Sequence, residues 1–187
     1  MSLEVPITKC IKKIKSKEIQ QWTVSWFNNH TPEYFWEIPA SSTGKYHPKY
    51  ATKNQGLVKH TLVAFSTAED LLTNIQPYSS WSNRKKDQIK SAILLHDTRK
   101  HGYPSKSKYS NASHGADLAK EIKKENPVEP FISIANLIAP HMGKWNKSYT
   151  SNKVVAPIPS TKEQRFVHMC DYIASRKYLN EPSPLFK

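Results

Sequence analysis

The stretch ILLHDTRK, residues 93–100, runs an apolar segment into an imidazole and a carboxylate side by side, His96 and Asp97. A buried carboxylate is expensive unless it is hydrogen-bonded, ion-paired or metal-bound, so the doublet implies a partner elsewhere in the chain. Helical spacing supplies candidates, because positions three, four and seven apart share a face. His60 lines up with Leu57, Ala64 and Leu71, and His96 with Ile89, Ala92 and Ile93. His114 aligns with Leu118 and Ile122, His141 with Ile134, Leu137 and Ile138, and Asp171 with Val167, Ala174 and Tyr178. One histidine on an apolar face is usually a satisfied core residue. Five separate helices each turning an imidazole or carboxylate inward need a shared partner, and a divalent cation is one: neutral imidazole and ionised carboxylate suit a borderline transition metal, and ligation lowers the penalty of burying them.

The elements that must carry these residues are helices. Apolar residues recur at helical spacing almost everywhere and strand-like alternation is scarce, so the expected fold is all-α, a compact helical bundle. Helices are expected at about 17–29, 56–75, 86–98, 112–125, 129–142 and 161–179. The chain of 187 residues fits one core, with residues 1–39 an N-terminal helical segment packing on a body of residues 40–187. A long irregular connector over residues 31–56, rich in Pro, Ser and aromatics, reads as functional rather than disordered. Two basic turn-rich stretches, KHGYPSKSKYSNAS and GKWNKSYTSNKVVAPIPS, are expected to form mobile flaps.

Lys and Arg number 28 against 15 Asp and Glu, a formal charge of +13 that favours polyanionic partners, phosphate above all. Lys12, Lys13 and Lys15 cluster near the N-terminus, while Lys45, Lys100, Lys144, Arg176 and Lys177 fall beside the polar motifs. No apolar run approaches the roughly 18 to 20 residues of a membrane span. The N-terminus has no secretory h-region, and the chain reads as cytoplasmic. Cys10 and Cys170 are expected to be free thiols. Neither G-x-S-x-G nor G-x-x-x-x-G-K-[ST] occurs, which argues against covalent serine catalysis and nucleoside-triphosphate motor activity.

The order His60, then His96-Asp97, then His114 and His141, then Asp171 resembles the HD-domain metal-dependent phosphohydrolases. Lys100 matches too, since many members carry HD-x-x-K; Arg99 stands where a Gly is common. The resemblance covers roughly residues 40 to 180 and implies the HD-type bundle for the 40–187 domain. It implies divalent metal, two ions from among Mn, Fe, Co, Ni, Zn and Mg, held by His60, His96, Asp97, His114, His141 and Asp171, with Asp97 as the bridge. It also implies phosphoester cleavage by metal-activated water, with Asp97 and Lys100 as catalytic residues and a nucleotide or nucleic-acid phosphoester as substrate. The segment from Tyr46-His47 into Gly56-Leu57-x-x-His60-Thr61 is similar to HD-containing 3′-to-5′ exonucleases. Lys45, His47, Lys144 and Arg176 are the candidate substrate-phosphate contacts. Tyr46, Trp145 and Tyr149 carry rings able to stack on a base, though core packing is the expectation for them. His168 is expected to pack or face solvent, and His30 and His101 carry no such context. Competing activities are a deoxynucleoside-triphosphate triphosphohydrolase and a non-catalytic nucleic-acid-binding module with structural metal.

Overall fold

A computed structural model of the chain describes residues 5–41, 47–104 and 106–176, and among these the architecture is all-helical. Seven α-helices run in order: α1 Val5–Ile11, α2 Lys17–His30, α3 Gly56–Asn74, α4 Asn83–Leu95, α5 His114–Glu125, α6 Phe131–Ile138 and α7 Lys162–Ala174. Helix α3 is central, packed against α4 and α7. Helix α5 lies on α6, which in turn touches α4 and α7. Leu62, Phe65, Ile89, Ile93, Ile134, Ile138, Phe166 and Val167 fill the space between them and are almost wholly buried. No described helix is long and apolar enough to cross a membrane.

Helix α1 was not expected. Its apolar residues Ile7, Cys10 and Ile11 have helical spacing and are buried, but seven residues in a basic stretch are too short for periodicity to register. Cys10 and Cys170 are both free and buried; burial pushes the Cys10 thiol up to about 12 and the Cys170 thiol higher still. Helix α2 starts where Ser16 accepts the Ile19 N–H, and the Asp87 carboxylate accepts the backbone N–H groups of Lys15 and Ser16 at 3.1 and 2.8 Å. Helices α1 and α2 both contact α4.

Helix ends differ from expectation in ways that matter for the site. Ser82 caps α4 early, and α4 stops at Leu95, leaving His96 and Asp97 in the turn that follows. Helix α6 ends at Ile138 and not near 142, so His141 sits in a turn just after Pro140. A capping box between Thr161 and Gln164 opens α7, which ends at Ala174; Tyr178 and Lys177 lie outside the described residues. The connector folds into two short 3-10 turns, Glu33–Trp36 and Lys49–Ala51, and backbone bonds from Gln55 to Glu37 and from Leu57 to Ile38 tie it to the start of α3. The second expected flap is held in place. An isolated antiparallel bridge pairs Lys147 with Val154, and the buried Asn146 amide donates to Ala156 O at 2.7 Å.

Candidate metal centre

Helices α3, α5 and α7 and the turns after α4 and α6 bring His60, His96, Asp97, His114, His141 and Asp171 to one place in the core. Asp97 divides them into two sets. Its Oδ2 faces His60 Nε2 at 3.8 Å and His96 Nε2 at 3.7 Å. Asp171 Oδ1 completes that set, 2.9 Å from His60 Nε2 and 3.5 Å from His96 Nε2. Asp97 Oδ1 faces the second set, 2.8 Å from His114 Nε2 and 3.6 Å from His141 Nε2. Donors bound at about 2.0–2.1 Å to a common ion stand roughly 3 Å apart, and both sets have that scale.

Tautomer control points the same way. Nδ1 of His96, His114 and His141 lies 2.7, 2.5 and 2.8 Å from the carbonyls of Ile93, Asn111 and Ile138. A ring that donates Nδ1–H to a carbonyl keeps its Nε2 lone pair for a metal. The Nε2 atoms of His114 and His141 are then 3.0 Å apart, lone pair against lone pair, an arrangement that needs a proton or a cation between them. His96 Nε2 is buried and makes no hydrogen bond at all. A buried polar atom without a partner is costly. The donor chemistry, the spacing and the orphaned nitrogen fit a divalent cation in each set.

Electrostatics favour ionised carboxylates and a neutral His141, while His96, although burial opposes its charge, is pushed up by Asp97 and Asp171. Burial works against the Asp97 charge, but the Lys100 cation, then His96, with His114 and His141 close by, hold its carboxyl well below the usual range. Asp171 is held low against the same burial penalty by His60 and His96. Burial, helped by the neighbouring His114 and His96, pushes His141 down to about 4, leaving it neutral and able to ligate near pH 7. Lys100 Nζ bonds Asp97 Oδ2 at 2.7 Å, and although burial opposes its charge, Asp97 pushes its pKa up. Exposure rises from 2 % at Asp97 to 15 % at Lys100 and 21 % at Asp171, so solvent reaches the centre from the Lys100 and Asp171 side.

A family model, HD domain, matches residues 57–176, well over half of the chain. The chain belongs to the HD-domain family. Members are generally metal-dependent phosphohydrolases, and the His/Asp sets of this HD domain are able to hold metal. No curated protein and no solved structure matches the chain.

What holds the HD doublet in position was not legible in advance. Arg99 is buried and forks onto Glu121 of α5, with bonds of 2.8 and 2.6 Å, while also donating to His30 O at the end of α2. Where the HD-x-x-K resemblance leads one to expect Gly, this chain has a strut. The Tyr34 hydroxyl, reaching from the connector, donates to Gly102 O at 2.7 Å and accepts from His101 N at 3.2 Å. Gly115 lets His141 lie against α5, since a Cβ there would come within 2.5 Å of His141 Nδ1. The one available sequence signal was Gly115 itself, because a glycine inside a helix is unfavourable by about 1 kcal/mol and implies a close approach.

The candidate substrate residues separate into two places. His47 sits at the centre, its ring edge-on to His60 with centroids 5.5 Å apart. Burial, then the His60 and Lys100 charges, push it down to about 3, so it stands there as a neutral imidazole and not as a cation. Lys144 and Arg176 lie against the rings of Trp145 and Tyr172. Lys45 and Tyr46 lie outside the described residues. Core packing fails as the reading for Trp145 and Tyr149, which are 41 % and 75 % exposed. His168 is packed, bonding His141 O through Nδ1 at 2.6 Å.

Proposed function

We propose that this HD domain hydrolyses phosphoester bonds of nucleotides or nucleic-acid ends, with one ion held by His60, His96, Asp97 and Asp171 and a second by Asp97, His114 and His141. The observation that carries this reading is the orientation of Asp97, whose two oxygens face two different histidine sets. Bound divalent ions supply Lewis acidity toward a phosphoryl oxygen and lower the pKa of water. The chain supplies the rest. Carbonyls of Ile93, Asn111 and Ile138 fix the ring tautomers. Lys100, on the solvent-facing side, offsets charge that builds on the phosphoryl oxygens, and His47 offers a neutral ring nitrogen to the substrate. The +13 charge favours a polyanionic substrate. The similarity around His47 and Gly56 to HD-containing 3′-to-5′ exonucleases supports nucleic-acid ends.

The test is a screen of the full chain, chelated and then loaded in turn with Mn, Fe, Co, Ni, Zn and Mg, against mononucleotides, dinucleotides, short oligonucleotides and deoxynucleoside triphosphates. Release of nucleoside monophosphates from oligonucleotide ends is the expected result. Release of inorganic triphosphate from deoxynucleoside triphosphates would replace this reading with a triphosphohydrolase. Metal uptake with no hydrolysis of any substrate would leave only a binding module.

A further inference from the structure

Beside the metal centre the surface carries a column of two stacked rings flanked by two cations. Trp145 and Tyr172 are stacked, with ring centroids 5.8 Å apart and planes 19° apart. Lys144 Nζ stands 5.0 Å from the Trp145 centroid, and Arg176 Cζ stands 4.1 Å from that of Tyr172. Both rings keep much of their area in water, 41 % for Trp145 and 38 % for Tyr172. Burying a large aromatic side chain is strongly favourable, so two of them held side by side at the surface are poorly used as packing.

The column is coupled to the centre at two points. His168 bonds the carbonyl of His141, and Gly143, at φ +57°, turns the chain from His141 toward Trp145. Tyr172 directly follows Asp171 on α7. The loop beyond Trp145 is held by the Lys147–Val154 bridge. Its bridged segment also presents Lys147 and Lys153 to solvent.

Exposed rings flanked by cations suit an unpaired nucleic-acid strand, whose bases stack on aromatic side chains while cations follow its phosphates. Paired bases in a duplex do not offer that face. We infer that the Lys144–Trp145–Tyr172–Arg176 column is a base-stacking platform for single-stranded nucleic acid, holding a nucleotide next to the one whose phosphate reaches Asp97. The inference deepens the proposed function and rests on it for the direction of the strand, but strand binding itself does not require metal.

The experiment measures binding of 5′-fluorescein-labelled oligothymidylate by anisotropy, using the full chain in chelator so that nothing is cleaved. Inorganic polyphosphate serves as a competitor with charge but no bases. Each aromatic stack contributes enough that Trp145→Ala should weaken oligothymidylate binding at least about fivefold, while Trp145→Phe, which keeps a ring, should recover most of the affinity. Competition by polyphosphate should change far less than oligothymidylate binding does. Parent-like oligothymidylate affinity in Trp145→Ala would overturn the inference, and so would an equal loss toward both polyanions. The parent's turnover of bis(p-nitrophenyl) phosphate after metal loading is read separately. If that turnover is absent while binding in chelator still depends on Trp145, the hydrolase reading fails and the platform stands.

Discussion

Two kinds of buried polar cluster lie within this small bundle, and they are built on opposite principles. Around Asp87 and Lys90 every charge is closed by the chain itself. Asp87 Oδ1 and Oδ2 each take a backbone N–H, and Lys90 Nζ meets Glu69 at 2.9 Å and Lys13 O at 3.1 Å. The Arg99 fork on Glu121 is closed in the same way. Around Asp97 the chain fixes the outer nitrogens of three rings, then leaves two of the inner ones facing each other and the third, on His96, near carboxylates without a hydrogen bond. The first kind joins α2 to α4 and the HD turn to α5. The second is complete only with something the chain does not provide, and that incompleteness marks the chemistry.

Mutations separate the two kinds. Lys100 closes on Asp97 but belongs to the open cluster, so Lys100→Ala should lower turnover on the best substrate by about 10² to 10³. Metal content and melting temperature of the metal-loaded protein should fall far less than turnover does; a parent rate would make Lys100 a surface charge. Arg99 belongs to the closed kind. Removing one partner of a buried pair is strongly destabilising, and with Glu121 partly in solvent the loss for Arg99→Met should be about 3 kcal/mol by urea unfolding. Added divalent metal should still raise its melting temperature as it does for the parent. An undiminished stability in Arg99→Met would mean that the strut is ornamental. Gly115→Ala tests the border between the two. A Cβ there presses on His141 Nδ1, and the crowding should cost about 1 kcal/mol after the helix-propensity gain. Calorimetric titration should show weakened binding at the His114 and His141 set only.

The open cluster was the more legible of the two in the sequence. His60, His114 and Asp171 lie on apolar helical stripes, and His96 and His141 continue such stripes past the helix ends, so a period of 3.6 was enough to turn all five inward. The closed contacts have no period. Arg99 meets Glu121 22 positions away and Tyr34 meets Gly102 68 positions away, and only the finished packing brings them together. Helix ends were missed where a cap or a proline acted locally, as at Ser82 and Pro140, and α1 was too short to show a stripe. Trp145 and Tyr149 were read as core because an aromatic residue in a loop looks the same whether its ring turns inward or outward.

Metal stoichiometry of the full chain tests the central claim most directly. After chelation and reloading, elemental analysis should find two divalent ions per parent chain and about one in His114→Ala, where the set of His60, His96, Asp97 and Asp171 is intact. Asp97→Ala, which removes an oxygen from both sets, should lose more metal than either His114→Ala or His141→Ala. Two ions retained in Asp97→Ala would contradict the account, because Asp97 would then join nothing.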